Sequence, residues 1–377
     1  MGTASRSGIL LCVLLGGAAC SGESVSDLEA PVSAGGAAGT GGEGGSEAGG
    51  SDGGSSGSEA GSGGSESAGQ GGSDAGSGGS GGSGAGAAGA GGSGGGGGSG
   101  GGGGCSGKGG KLGDSTQAVA APGGARSIVV HTPPGYDPKK PSPVMLMFHG
   151  LYGSPQDLGP FTKMNPKADA KGFLVVYPEG AGKSWNGGAC CGDAASQKVD
   201  DVGFVRAILD HLEASYCVDP KRVFAAGMSN GGMMSHRLAC ELSDRIAAVG
   251  PVAGNIAFSP CNPGRPVPVM MTHGTSDSVV PYANDGFQGT KSSPKTFEEW
   301  SSRNGCTGQP KKVYEKGDAT CVEHSSCAQG SAVRFCTIAD GGHQWPGGLE
   351  IPLLGKTSNN LDTSAELLSF FEAHPMP

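Results

Sequence analysis

The chain has 377 residues, 78 of them glycine, and a formal net charge of −9. Nine of its 34 acidic residues lie between Ser21 and Gly104, where no Lys or Arg occurs, so the remainder sets 25 acidic residues (34 minus 9) against 25 basic ones. That balance gives no sign of nucleic-acid or anionic-membrane binding.

The first elements are not part of a fold. Arg6, the apolar run Ile9 to Leu15 and the small residues Gly16 to Ala19 read as an export signal over 1–20. The run is too short to span a bilayer. Its close, GAAC, resembles a bacterial lipoprotein signal in which Cys20 is lipidated, although Gly17 stands where that signal prefers Leu. A plain secretory signal cut nearby is the alternative. Residues 21–110 are rich in Gly, Ser and Ala. Of the 78 glycines, 39 lie between Ser21 and Gly104. Such a composition cannot bury enough apolar surface to offset its ordering entropy, and it predicts a disordered linker with a reach of about 50 Å.

Residues 111–377 are then the expected catalytic domain. The cysteines from Cys105 onward number ten: Cys105, Cys190, Cys191, Cys217, Cys240, Cys261, Cys306, Cys321, Cys327 and Cys336. An even, high count in an exported domain predicts disulfides, with connectivity left open. Cys321 and Cys327 bracket His324, but no C-x-x-C pair supports a metal site, and no metal is expected.

Strands are predicted at 127–131, 143–148, 173–177, 222–226, 247–253, 266–271 and 332–338. Several are continuous apolar runs, as strands buried on both faces of a parallel sheet must be. Helices fall between them: one capped near Asp200 and Asp201, with Val202, Val205, Ile208, Leu209 and Leu212 on one face; one after Ser229; and one from Ser364 to Phe371. The alternation predicts an α/β fold, a doubly wound, mostly parallel sheet with helices on both faces.

GMSNG, Gly227 to Gly231, follows the strand at 222–226 and precedes a helix. The same G-x-S-x-G pattern in the linker, Gly78 to Gly82, has neither neighbour. A strand–turn–helix context is what a nucleophile elbow requires, so Ser229 is the candidate nucleophile. A serine needs a base, and the base an orienting acid. Asp277 follows the strand at 266–271 and His343 the strand at 332–338, which puts both on the rim that carries Ser229. Asp285 and Asp340 are weaker rivals for the acid; His324, His236 and His374 are weaker rivals for the base. The oxyanion donors are expected to be the amide of Asn230 and one from FHGLYGS, that of Leu151, with Tyr152 as the alternative.

The stretches FHGLYGS, SWNGGACCG, VDDVGFVRAIL, GMSNGGMMSHRLAC, HGTSDSVVPY and GGHQWPGG together resemble the poly(3-hydroxybutyrate) depolymerase/feruloyl esterase family, secreted α/β-hydrolases related to family-one carbohydrate esterases. The resemblance runs from about Ser127 to Pro375. It implies Ser229 as nucleophile, Asp277 as acid and His343 as base, the same three residues. Within the family, Met228 and Asn230 flank the serine where polyester enzymes carry Leu and a small residue. Only 34 residues (377 minus 343) follow His343, enough for a helix but not for a polyester-binding module.

These points lead to an extracellular serine esterase acting on feruloyl or acetyl esters of plant cell-wall xylan, without a cofactor. A polyhydroxyalkanoate depolymerase is the alternative, and a non-catalytic carbohydrate-binding surface protein the alternative of another class. The substrate would be a polysaccharide or a polyester. No nucleic acid is expected as a partner, and a membrane only through a lipid at Cys20. Trp185 and Trp345 are expected to line an aromatic substrate cleft.

Overall fold

A computed structural model describes Cys105 and residues 108–377. The signal, most of the linker and Cys20 lie outside the described residues.

Ten strands form one sheet: β1 (Gly113–Ala121), β2 (Gly124–Thr132), β3 (Ser142–Phe148), β4 (Leu174–Pro178), β5 (Val218–Met228), β6 (Ala248–Val252), β7 (Val269–Gly274), β8 (Lys311–Lys316), β9 (Ala319–His324) and β10 (Val333–Ile338). Their spatial order is β1-β2-β4-β3-β5-β6-β7-β10-β9-β8. The six inner strands from β4 to β10 are parallel, and both margins are antiparallel. Among the described residues the α-helices are α1 (Pro155–Thr162), α2 (Met164–Lys171), α3 (Gly192–Ser196), α4 (Asp201–Ser215), α5 (Asn230–Glu241), α6 (Ser293–Arg303) and α7 (Thr363–Ala373).

All seven predicted strands form. The inner ones are apolar throughout because both faces are covered. On β3, Val144, Leu146 and Phe148 point into one core cluster with α4, α5 and Trp300 of α6. Met145 and Met147 point into the other, with Leu158 of α1, Met164 of α2 and Leu367, Phe370 and Phe371 of α7. Alternation on a strand sends neighbouring side chains to opposite faces, so an unbroken apolar run serves two cores. Asp200 caps α4 through Oδ1, which accepts from the Gly203 amide at 2.7 Å.

Three strands go beyond those expected. β1 alternates polar and small residues, half-exposed on an edge, and hairpins onto β2 through Pro122 and Gly123 (φ 84°). β8, KKVYEK, is an exposed edge strand whose charges discourage pairing with another chain. β9 is attached to β10 by the Cys321–Cys336 disulfide.

Among the described residues all ten cysteines, of twelve in the chain, are paired: Cys105–Cys217, Cys190–Cys191, Cys240–Cys261, Cys306–Cys327 and Cys321–Cys336. Cys321 and Cys327 thus go to separate partners rather than to a shared ion beside His324. Five disulfides suit an oxidising compartment. The Cys105–Cys217 bond closes the longest loop, a separation of 112 residues. In the chain-entropy account such a bond contributes the most, because it removes the most freedom from the unfolded chain. The Cys105→Ser/Cys217→Ser variant is expected to lose about 2–5 kcal/mol of stability, read as a lower urea midpoint.

Candidate functional site

The turn after β5 is forced by backbone contact. A Cβ on Gly227 would lie 2.6 Å from the Phe148 carbonyl oxygen, and one on Gly231 would lie 2.1 Å from the same atom. These obstacles are main chain, so no side-chain rotation relieves them. Ser229 sits between them at φ 57°, ψ −123°, a conformation disfavoured for any residue with a Cβ. It is held there by its amide, which donates to Val252 O at 2.8 Å, and by its carbonyl, which accepts from the Met233 amide at 3.0 Å. The strain lifts the half-exposed side chain to the carboxyl end of the sheet, at the start of α5.

Asp277 and His343 meet on the same rim. His343 Nδ1 donates to Asp277 Oδ2 at 2.7 Å. Both residues are buried, with His343 at 4% exposure and Asp277 at 5%. The loops that bring them together are sewn to each other: the Thr275 amide donates to Ile338 O and the Ser276 amide to Gly341 O, each at 2.9 Å. The His343 amide donates to Leu354 O at 2.7 Å. With Nδ1 carrying the proton, His343 Nε2 is left with a lone pair. Among the described residues, Ser229 Oγ and His343 share no hydrogen bond; contacts of this kind commonly tighten only when substrate is bound.

Burial would push the Asp277 carboxyl up. The two imidazoles against it, His273 and His343, more than reverse this and hold it well below the usual carboxylate range. Its other oxygen, Oδ1, accepts from the Val279 amide at 2.9 Å and the Val280 amide at 2.8 Å. The rival acids are engaged elsewhere. Asp285 pairs with Lys295 and accepts from the Ser292 amide, and Asp340 is an exposed turn residue at φ 55°.

The oxyanion candidates can also be compared. Asn230 is the first residue of α5, so its amide has no partner within the helix. The Tyr152 amide donates to Lys183 O at 2.8 Å, which leaves Leu151 as the free amide of the two. The Leu151 amide adjoins Gly150, where an added Cβ would touch Ser229 Cβ at 3.5 Å. His149 is a turn residue: Nδ1 donates to Gly150 O, and Nε2 accepts from the Gly180 amide. Burial lowers its pKa, which suits a neutral ring.

A family model described as Esterase PHB depolymerase matches residues 126–280. Feruloyl esterase B of Piromyces equi is 36% identical over 234 residues, covering 58% of this chain and 42% of that protein. NocK of Nocardia uniformis subsp. tsuyamanensis is 30% identical over 284 residues, covering 68% of this chain and 82% of that protein. The chain belongs to the poly(3-hydroxybutyrate) depolymerase/feruloyl esterase family. It spans about two-fifths of the length of feruloyl esterase B. Acetyl xylan esterase from Aspergillus awamori superposes with a TM-score of 0.50 at 14% identity, covering 69% of this chain and 99% of that one. That likeness is one of fold alone, and the fold is that of an α/β-hydrolase.

Two expectations for this family member need correction. Trp185 and Trp345 do not line a cleft; both are fully buried. Trp185 Nε1 donates to His149 O at 3.0 Å, and its ring packs edge-on against Phe148 at 5.1 Å. Trp345 Nε1 donates to Ser364 Oγ at 3.0 Å, beneath α7. Both rings bury their area and satisfy their one donor inside the core. Asp201 does not cap α4 with Asp200. It is buried, pairs with Arg126 at 2.6 Å and accepts from the Asn186 amide at 2.7 Å. Sequence reading also missed what the Asn230 side chain does: its Oδ1 accepts from the Trp185 amide at 2.7 Å and its Nδ2 donates to Trp185 O at 2.9 Å. The choice of Asn over a small residue here thus has a structural cause. A groove of about 570 Å³ lies beside these loops, between Asn186 and Phe258, but Ser229, Asp277 and His343 do not line it.

Gly231→Ala is expected to destabilise the domain by about 2–4 kcal/mol, as main-chain overlap cannot relax locally. Gly135→Ala, where an added Cβ meets nothing within 4 Å, is its neutral control in thermal melts. Asp277 gives a second expectation. Because its folded pKa lies below the ordinary 3.8, its contribution to stability is fully present above about pH 4 and is lost as pH falls. Urea titrations from pH 6 down to pH 2 should show a steeper loss for the wild type than for Asp277→Asn.

Proposed function

We propose that this family member is an extracellular serine esterase that hydrolyses feruloyl esters of plant cell-wall xylan, with acetyl esters as further substrates. The observation that carries the chemistry is the 2.7 Å bond from His343 Nδ1 to Asp277 Oδ2, on the rim where Ser229 occupies its strained turn. The substrate class is supported by feruloyl esterase B among the relatives. The paired cysteines support an extracellular setting.

His343 Nε2 takes the proton of Ser229 Oγ as the oxygen attacks the ester carbonyl carbon. The oxyanion that develops is held by the Asn230 and Leu151 amides, at the positive end of α5. Asp277, ionised at all working pH values, fixes the His343 tautomer and stabilises the imidazolium. His343 then passes the proton to the departing sugar hydroxyl, leaving an acyl group on Ser229. Water, deprotonated by His343, releases the acid and restores the serine.

The family model described as Esterase PHB depolymerase favours a second reading, a polyhydroxyalkanoate depolymerase. Two assays separate the readings. A fluorophosphonate probe is expected to label Ser229, located by peptide mass spectrometry, and His343→Ala should abolish the label. Methyl ferulate and feruloylated or acetylated arabinoxylan are then compared with polyester film. Ferulate release without film clearing supports the first reading, and the opposite pattern replaces it with the second. No label and no turnover in folded, oxidised protein would leave a carbohydrate-binding protein. Asp277→Asn is expected to lower kcat by a factor on the order of 10⁴.

A further inference from the structure

Asp277 is contacted by two histidines, and the reaction just described uses only one. His273, the penultimate residue of β7, is 2% exposed. Its Nε2 lies 3.2 Å from Asp277 Oδ2 and 2.8 Å from the Val280 carbonyl oxygen. Both neighbours are acceptors, so Nε2 must carry the proton; it donates to Val280 O and stands against Asp277 Oδ2. Asp277 then receives three hydrogen bonds, from the Val279 and Val280 amides on Oδ1 and from the His343 ring on Oδ2, and the His273 N–H edge lies against Oδ2 as a fourth, polar neighbour. A buried carboxylate is stable only among polar partners, and here Oδ1 has two amide donors while Oδ2 has the His343 N–H and the close His273 N–H edge.

The second contact of His273 matters as much. Its bond to Val280 O ties β7 to the far end of the loop whose amides hold Oδ1. The loop from Gly274 to Val280 is therefore clasped from within by one imidazole. Val280 in turn packs with Cys190, Met233 and Ala257. The Tyr282 ring closes the outer side of His273 edge-on at 6.0 Å.

We propose that His273 is a positioning residue for the esterase reaction: it orients the Asp277 carboxylate so that Oδ2 meets His343 Nδ1. It does not touch substrate; it acts through Asp277. This inference rests on the esterase reading for its kinetic consequence, but not for its geometry.

The test uses the full chain in oxidised form, with methyl ferulate or p-nitrophenyl acetate as substrate. His273→Ala is expected to lower kcat about 10- to 100-fold with KM unchanged, as small misplacement of a catalytic pair does. His273→Gln, whose side-chain amide can still donate, should recover most of the loss. A folded His273→Ala enzyme with wild-type kcat, or one whose only change is in KM, would overturn the proposal. The wild type supplies a reading that does not depend on the variants folding. In ¹⁵N-histidine NMR spectra, His273 should be protonated at Nε2 with a slowly exchanging proton, and a His273 protonated only at Nδ1 sinks the idea. A wild type that neither turns over ester nor takes the fluorophosphonate label would refute the esterase reading, and the NMR result would still decide whether His273 clasps Asp277.

Discussion

The main chain of Phe148 runs against the turn after β5 so closely that no side chain fits between them. From this contact much of the site follows. Gly227 and Gly231 must be bare, because each would drive a Cβ to within 2.6 Å of the Phe148 carbonyl oxygen. With both glycines bare, β5 passes into α5 in a few residues. Ser229 is left at a positive φ that nothing local favours. The strain is sustained by the surrounding structure, in particular by the Val252 carbonyl that accepts the Ser229 amide. The same contact brings Gly150 against Ser229, so the loop that carries the Leu151 amide and the Ser229 turn are positioned by one packing event.

The other half of the site depends on a buried negative charge. A carboxylate taken from water costs several kcal/mol unless its hydrogen bonds are replaced. Around Asp277 they are replaced by two amides of its own loop and the His343 imidazole, with the His273 imidazole close beside them. Burial and hydrogen bonding act on its pKa in opposite directions, and hydrogen bonding wins. The result is an acid that stays ionised while sealed from solvent, which lets it hold the His343 tautomer without competition from water. Close contact between the loops supports this arrangement. Gly274 has no space for a Cβ because the Gly341 carbonyl oxygen would lie 2.3 Å away.

A second set of contacts builds the platform beside the serine. Asn230 clasps the Trp185 main chain, Asp201 holds the Asn186 amide, and Arg126 neutralises Asp201 and lies over the Phe204 ring at 3.9 Å. Three polar residues far apart in sequence thus shape one loop. The two tryptophans serve this packing rather than substrate, since the indole nitrogen of each is satisfied inside the core.

The inner strands, the flanking helices and the positions of Ser229, Asp277 and His343 were legible in the sequence. An apolar run without alternation can be buried only on both faces, and residues just beyond such strands must share one rim of a parallel sheet. β1 and β8 were not legible, because edge strands carry the polar composition of loops. The sequence by itself determined the sheet, the glycine-bounded turn and which serine stands in it, since these follow from local steric and hydrophobic pattern. Only the tertiary structure decided which cysteines pair, that both tryptophans are core, that the Tyr152 amide is taken while Leu151 is free, and that His273 shares Asp277 with His343. Each of these depends on direction and distance between segments far apart in the chain, which the residue pattern of any one segment does not encode.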